Sequence, residues 1–145
     1  VRPDRASLER FDTGTERGAL RPMTRILIVD DDAQVRRMLC QTLAREGYEV
    51  ADAPDGEHAL RLFREDPTDL VLLDIYMPEK EGLETILELR EAHPGVRIVA
   101  MSGGGGLFGY EVLETAGHFG AMLTLTKPFN RETLLRTVGE ALEQG

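Results

Sequence analysis

Asp69-Leu70-Val71-Leu72-Leu73-Asp74-Ile75-Tyr76-Met77-Pro78 is the stretch on which the fold turns. The unbroken aliphatic run from Leu70 to Leu73 suits a strand covered on both faces, as in a parallel sheet. It stops at Asp74, and Pro78 and Gly82 then mark a loop before the next amphipathic segment. A carboxylate at the carboxyl end of a parallel strand lies where open α/β sheets place their chemistry.

Upstream, Ile26-Leu27-Ile28-Val29 reads as a buried strand ending in Asp30-Asp31-Asp32. Val35, Met38, Leu39, Thr42 and Leu43 recur at helical spacing, and Gly47 is placed to end that helix as its C′ residue. Tyr48 to Ala51 reads as a short strand, and Asp55 caps a helix carrying Ala59, Leu60 and Phe63 on one face. Downstream come a helix with Leu83, Ile86, Leu87 and Arg90, then a strand from Val96 to Met101 that ends at Ser102. Gly103 to Gly106 follow, then a helix around Val112, Leu113 and Ala116 and a fifth strand from Ala121 to Leu125, ending at Thr126-Lys127-Pro128-Phe129. Asn130 caps a last helix that buries Leu134, Leu135, Val138, Ala141 and Leu142. Five β-α units in series predict an α/β domain: a doubly wound parallel sheet of order 2-1-3-4-5 with right-handed crossovers.

The 145 residues fit one domain. Acids outnumber bases 26 to 17, for a net charge of −9, which argues against nucleic-acid or anionic-membrane binding by the bulk surface. The single Cys40 excludes an internal disulfide, fits a reducing compartment, and falls among apolar helical positions as a buried structural thiol. No apolar run approaches the roughly 18 residues of a bilayer span, and the amino terminus has no signal core, so a cytoplasmic protein is expected. Residues 1–22 hold five Arg and four acids with scattered Gly and Pro but no sustained periodicity; a poorly ordered leader is expected there, with the domain over 23–145.

The strand ends converge. Strand one delivers Asp30, Asp31 and Asp32, strand three Asp74, strand four Ser102 and strand five Lys127, all to one sheet edge. Carboxylates gathered this way repel unless a cation sits among them, and a hard divalent ion such as magnesium takes such oxygens while leaving positions for phosphate. A carboxylate can also attack phosphorus to form an acyl phosphate. Such a transfer needs mainly charge stabilisation, which a metal and Lys127 supply, while Ser102 can hydrogen-bond a phosphoryl oxygen. Asp32, just past the pair, reads as the cap of the first helix. His58, His93 and His118 have no partner at ligand spacing and read as solvated, and the glycine run lacks the pattern of a nucleotide cradle.

Residues 23–143 resemble the receiver domain of two-component response regulators. The resemblance rests on Val29-Asp30-Asp31, on Leu73-Asp74-Ile75-Tyr76-Met77-Pro78 with Gly82, on Ala100-Met101-Ser102-Gly103 and on Thr126-Lys127-Pro128-Phe129. It implies a flavodoxin-like fold and Asp74 as phosphoacceptor. Mg2+ would be bound by Asp31, Asp74 and the Tyr76 backbone carbonyl, with Asp30 acting through water; Lys127 would pair with the phosphoryl group, and the Lys127–Pro128 bond would be cis. The expected donor is a sensor histidine kinase or a histidine phosphotransfer protein. A stand-alone receiver is expected, not an enzyme beyond its own phosphorylation and slow dephosphorylation, signalling to an unknown protein target or passing the phosphoryl group on. Where the family usually carries an aromatic reporter, this sequence has Thr124, so the expected switch is the Gly103–Gly106 loop with Phe108 or Tyr110. The alternative is a phosphatase resembling the haloacid-dehalogenase-like family, which the Asp30-Asp31-Asp32 run would suit; against it, Gln34 stands where Thr or Val is expected, and Asp74 would have no role.

Overall fold

The computed structural model describes residues 24–75, 81–103, 116–117 and 120–144. Its strands form where the aliphatic runs predict them: β1 (Arg25–Val29), β2 (Glu49–Ala53), β3 (Leu70–Asp74), β4 (Ile98–Ser102) and β5 (Leu123–Thr126). They make one parallel sheet of order β2-β1-β3-β4-β5, the expected 2-1-3-4-5. The helices are α1 (Ala33–Arg45), α2 (Gly56–Glu65), α3 (Glu81–Ala92) and α4 (Arg131–Glu143). The helix expected around Val112 and Leu113 lies outside the described residues; within it only Ala116 and Gly117 are described, both helical. The expected leader over 1–22, Tyr76, Gly104 to Gly106, Phe108, Tyr110 and His118 also lie outside them.

Because successive side chains of a strand point to opposite faces, the run Leu70 to Leu73 feeds two cores. Leu27, Val29, Val71, Leu73, Ile98 and Ala100 pack under Ala59, Leu60 and Phe63 of α2 and Ile86 and Leu89 of α3. Ile26, Ile28, Leu70, Leu72, Val99 and Met101 pack under Leu39 and Leu43 of α1 and Leu134, Val138 and Ala141 of α4. Every residue of β3 and β4 is buried, each large aliphatic contributing about 1.5–3 kcal/mol of transfer free energy.

The helix starts follow the local chemistry. Asp32 accepts hydrogen bonds from the Gln34 and Val35 amides, Asp55 from the His58 amide, and Asn130 from the Thr133 amide. Gly47, with φ +97°, ends α1 in the left-handed region that glycine enters without a Cβ penalty.

Some faces and bounds differ from expectation. The second strand begins at Glu49, because the Tyr48 amide still bonds to the Leu43 carbonyl of α1, and it runs to Ala53 because Asp52 and Ala53 pair with Ile28 and Val29. In α3 the inward face is Gly82, Thr85, Ile86 and Leu89, leaving Leu87 exposed. The cause sits at Gly82, where a Cβ would lie 2.4 Å from the Ile75 Cα, so the helix is seated directly on the backbone that follows β3. Met38 is likewise half exposed. Cys40 is partly buried rather than enclosed; burial, then the Asp52 charge, raise its pKa against the opposing pull of Arg36.

Candidate functional site

The sheet register assembles the site. Val29 pairs with Leu73, so Asp30 and Asp74, each one residue on, share a row at the carboxyl edge. Asp74 pairs in turn with Met101, and Met101 with Leu125. Parity therefore puts both acids on the α1 and α4 side of the sheet, where Ile28, Leu72, Met101 and Leu125 are packed. Lys127, two residues past Leu125, returns to that side. Its amide donates to the Ser102 carbonyl at 2.7 Å, and its bond to Pro128 is cis, as the resemblance implies.

Lys127 Nζ reaches Asp30 Oδ2 at 2.8 Å and Asp74 Oδ2 at 3.3 Å. Asp30, Asp74 and Ser102 are buried, whereas Asp31 is exposed at the mouth. Burial of Lys127 works to lower its pKa, but the hydrogen bond to Asp30 and the charges of Asp74 and Asp30 outweigh it, and the net shift is upward from 10.5. The ammonium is thus held charged.

Asp30 is committed at four points. Its Oδ2 accepts from Lys127, its Oδ1 accepts from the Asp32 amide at 2.9 Å, its amide donates to the Ala53 carbonyl, and its own carbonyl accepts from Arg36 at 2.8 Å. Ligand oxygens of Asp30, Asp31 and Asp74 lie within 4.8 Å of one another. When ionised, these carboxylates outnumber the Lys127 ammonium by two, and a hard, oxygen-preferring cation such as magnesium suits that donor set. The expected Tyr76 carbonyl ligand lies outside the described residues.

Asp30, Asp31, Asp74 and Lys127 thus meet at one edge, and Ser102 ends the neighbouring strand there with its carbonyl bonded to the Lys127 amide, while Asp32 serves the helix. His58 and His93 stand apart: His58 Nδ1 pairs with the Asp55 cap at 2.7 Å, and His93 meets the Phe63 ring edge-on. Arg36, which belongs to none of the sequence motifs, joins the Asp30 carbonyl to Asp52. One signal for it was present: it stands one turn after the cap, and helical side chains lean back toward the amino end.

A family model for the response regulator receiver domain matches residues 26–139. Over 122 residues the chain is 39% identical to the transcriptional regulatory protein CpxR of Klebsiella pneumoniae, covering 84% of this chain and 50% of that one. It is therefore similar to about half the length of that relative, and to 26% of the regulatory protein AtoC of Escherichia coli, at 37% identity. A CheY-like receiver domain from Methanospirillum hungatei superposes with a TM-score of 0.75 at 32% identity, over 85% of this chain and 96% of that one. The receiver domain of NtrX from Brucella abortus gives 0.77 at 32% identity, over 83% and 99%.

Proposed function

Because the chain belongs to the response regulator receiver domain family, we propose that it accepts a phosphoryl group on Asp74 from a phosphohistidine of a sensor kinase or phosphotransfer protein. The observation that carries this reading is the Lys127 ammonium shared by the buried carboxylates of Asp30 and Asp74, with the exposed Asp31 beside them. A carboxylate oxygen of Asp74 attacks phosphorus, the P–N bond to the donor imidazole breaks, and the electron pair leaves with that nitrogen. Lys127 follows the negative charge from Asp30 and Asp74 to a phosphoryl oxygen. The Ser102 hydroxyl, at the end of the neighbouring strand, donates to another. Asp31 and Asp74 would hold magnesium directly and Asp30, whose oxygens are already engaged, through water; bound there, magnesium would neutralise phosphoryl charge.

Phosphorylation then changes the contacts that the receiver surface makes with a partner. No observation favours the phosphatase alternative, since Asp74, idle in that reading, stands 3.3 Å from Lys127. With magnesium and acetyl phosphate, the intact mass should rise by one phosphoryl group, and Asp74→Asn should abolish the gain while the fold persists. Labelling of Asp74→Asn at another residue would overturn the assignment.

A further inference from the structure

The Arg36 guanidinium is a two-ended fork. Its Nε donates to Asp52 Oδ2 at 2.9 Å, and its Nη1 donates to the Asp30 carbonyl at 2.8 Å. Asp52 belongs to β2, at a position paired with Ile28 of β1. The Asp30 carbonyl lies in the same rigid peptide plane as the Asp31 amide. Fixing that oxygen therefore fixes the plane from which the exposed Asp31 side chain departs. Beyond Asp31, the chain is held again by the Asp32 cap, from whose carbonyl α1 takes its first hydrogen bond, at the Arg36 amide itself.

We propose that Arg36, braced on Asp52, is a positioning residue that sets the Asp31 carboxylate for cation binding, an inference that rests on the magnesium reading above. Sign separates it from electrostatics. Arg36 is a positive charge at the back of an acidic cluster, so its removal should tighten cation binding by Coulomb's law. A clamp predicts the reverse: losing the support of a metal ligand costs about tenfold or more in affinity. Lysine keeps the charge but has no planar fork to span both acceptors.

The test is magnesium titration by calorimetry, without phosphodonor, on the wild type, Arg36→Met and Arg36→Lys, with amide hydrogen exchange of Asp31 and Asp32 measured alongside. The dissociation constant should rise about tenfold in both variants, and the two amides should exchange faster. The magnesium needed for half-maximal phosphorylation by acetyl phosphate should rise by the same factor. Folded variants with unchanged or tighter magnesium binding and unchanged exchange overturn the clamp and leave the function standing. A wild type that binds no magnesium overturns the metal reading and the clamp's role together. If Arg36→Met does not fold, Arg36→Lys, which keeps the charge so that electrostatics alone predicts no change, carries the same readouts: weaker binding with faster exchange supports the clamp, and unchanged values overturn it.

Discussion

Ion pairs occupy both edges of the sheet, built from the same few residue types. At the amino edge Arg25 binds Glu49 at 3.0 Å and Asp66 at 2.7 Å, while its amide donates to the Asp69 side chain. The acids of its two ion pairs keep 54% and 69% of their side chains in water. At the carboxyl edge Lys127 meets Asp30 and Asp74, whose side chains keep 0% and 6%. Exposed pairs contribute little because water and salt compete with them. Buried carboxylates carry a desolvation cost that their pairing offsets only in part. The amino edge is thus a tether that any well-placed charges could supply. The carboxyl edge holds charge at a cost to stability, as a site that must receive a cation or an anion does.

The largest effect should come from removing the shared cation. Lys127→Met leaves two buried acids facing each other, and urea unfolding should report a loss of about 3 kcal/mol, the low end for a broken buried pair. Magnesium should restore part of it. A loss like that of a surface pair would make the two edges energetically alike.

Gly82→Ala comes next, because its Cβ would press into the Ile75 backbone just past Asp74. We expect a loss of about 2 kcal/mol, typical of overpacking, with slower phosphorylation as the acceptor strand shifts. Unchanged stability and rate would show that the helix can ride outward freely.

Arg25→Met should cost less than about 1 kcal/mol, a difference that shrinks in high salt, and it should leave phosphorylation unchanged. A larger loss would show that the amino edge is more than a tether.

The smallest effects are those of pH. The Lys127 pKa is raised above 10.5, so its contribution is fully present below that pH and is lost as pH rises through the folded-state value. Asp55, whose pKa is lowered from 3.8 by the His58 amide and then the His58 ring, contributes above pH 3.8 and loses that contribution as pH falls through its folded-state value. Thermal melts against pH should flatten at the alkaline end in Lys127→Met and at the acid end in Asp55→Asn. If either variant tracks the wild type, that group is not the source of the dependence.

Local patterns in the chain place the elements and most of what stands at their ends. Aliphatic runs, caps at Asp32, Asp55 and Asn130, and the stop at Gly47 act within a few residues, so local chemistry suffices to place them. The alternation of strand and helix then limits the sheet order, which brings Asp30, Asp74, Ser102 and Lys127 to one edge. The remaining features arise from packing between elements. The rotation of α3 follows from Gly82 seating on Ile75, which turns Leu89 inward and Leu87 to solvent, although Leu87 stands four residues after Leu83 and Leu89 three after Ile86, each at helical spacing. The Arg36 fork needs the β1–β2 register to bring Asp52 beside it, and the Arg25 tether needs three separate segments to meet. Such contacts are fixed by register and helix rotation between elements far apart in the chain, and no pattern within one element encodes either.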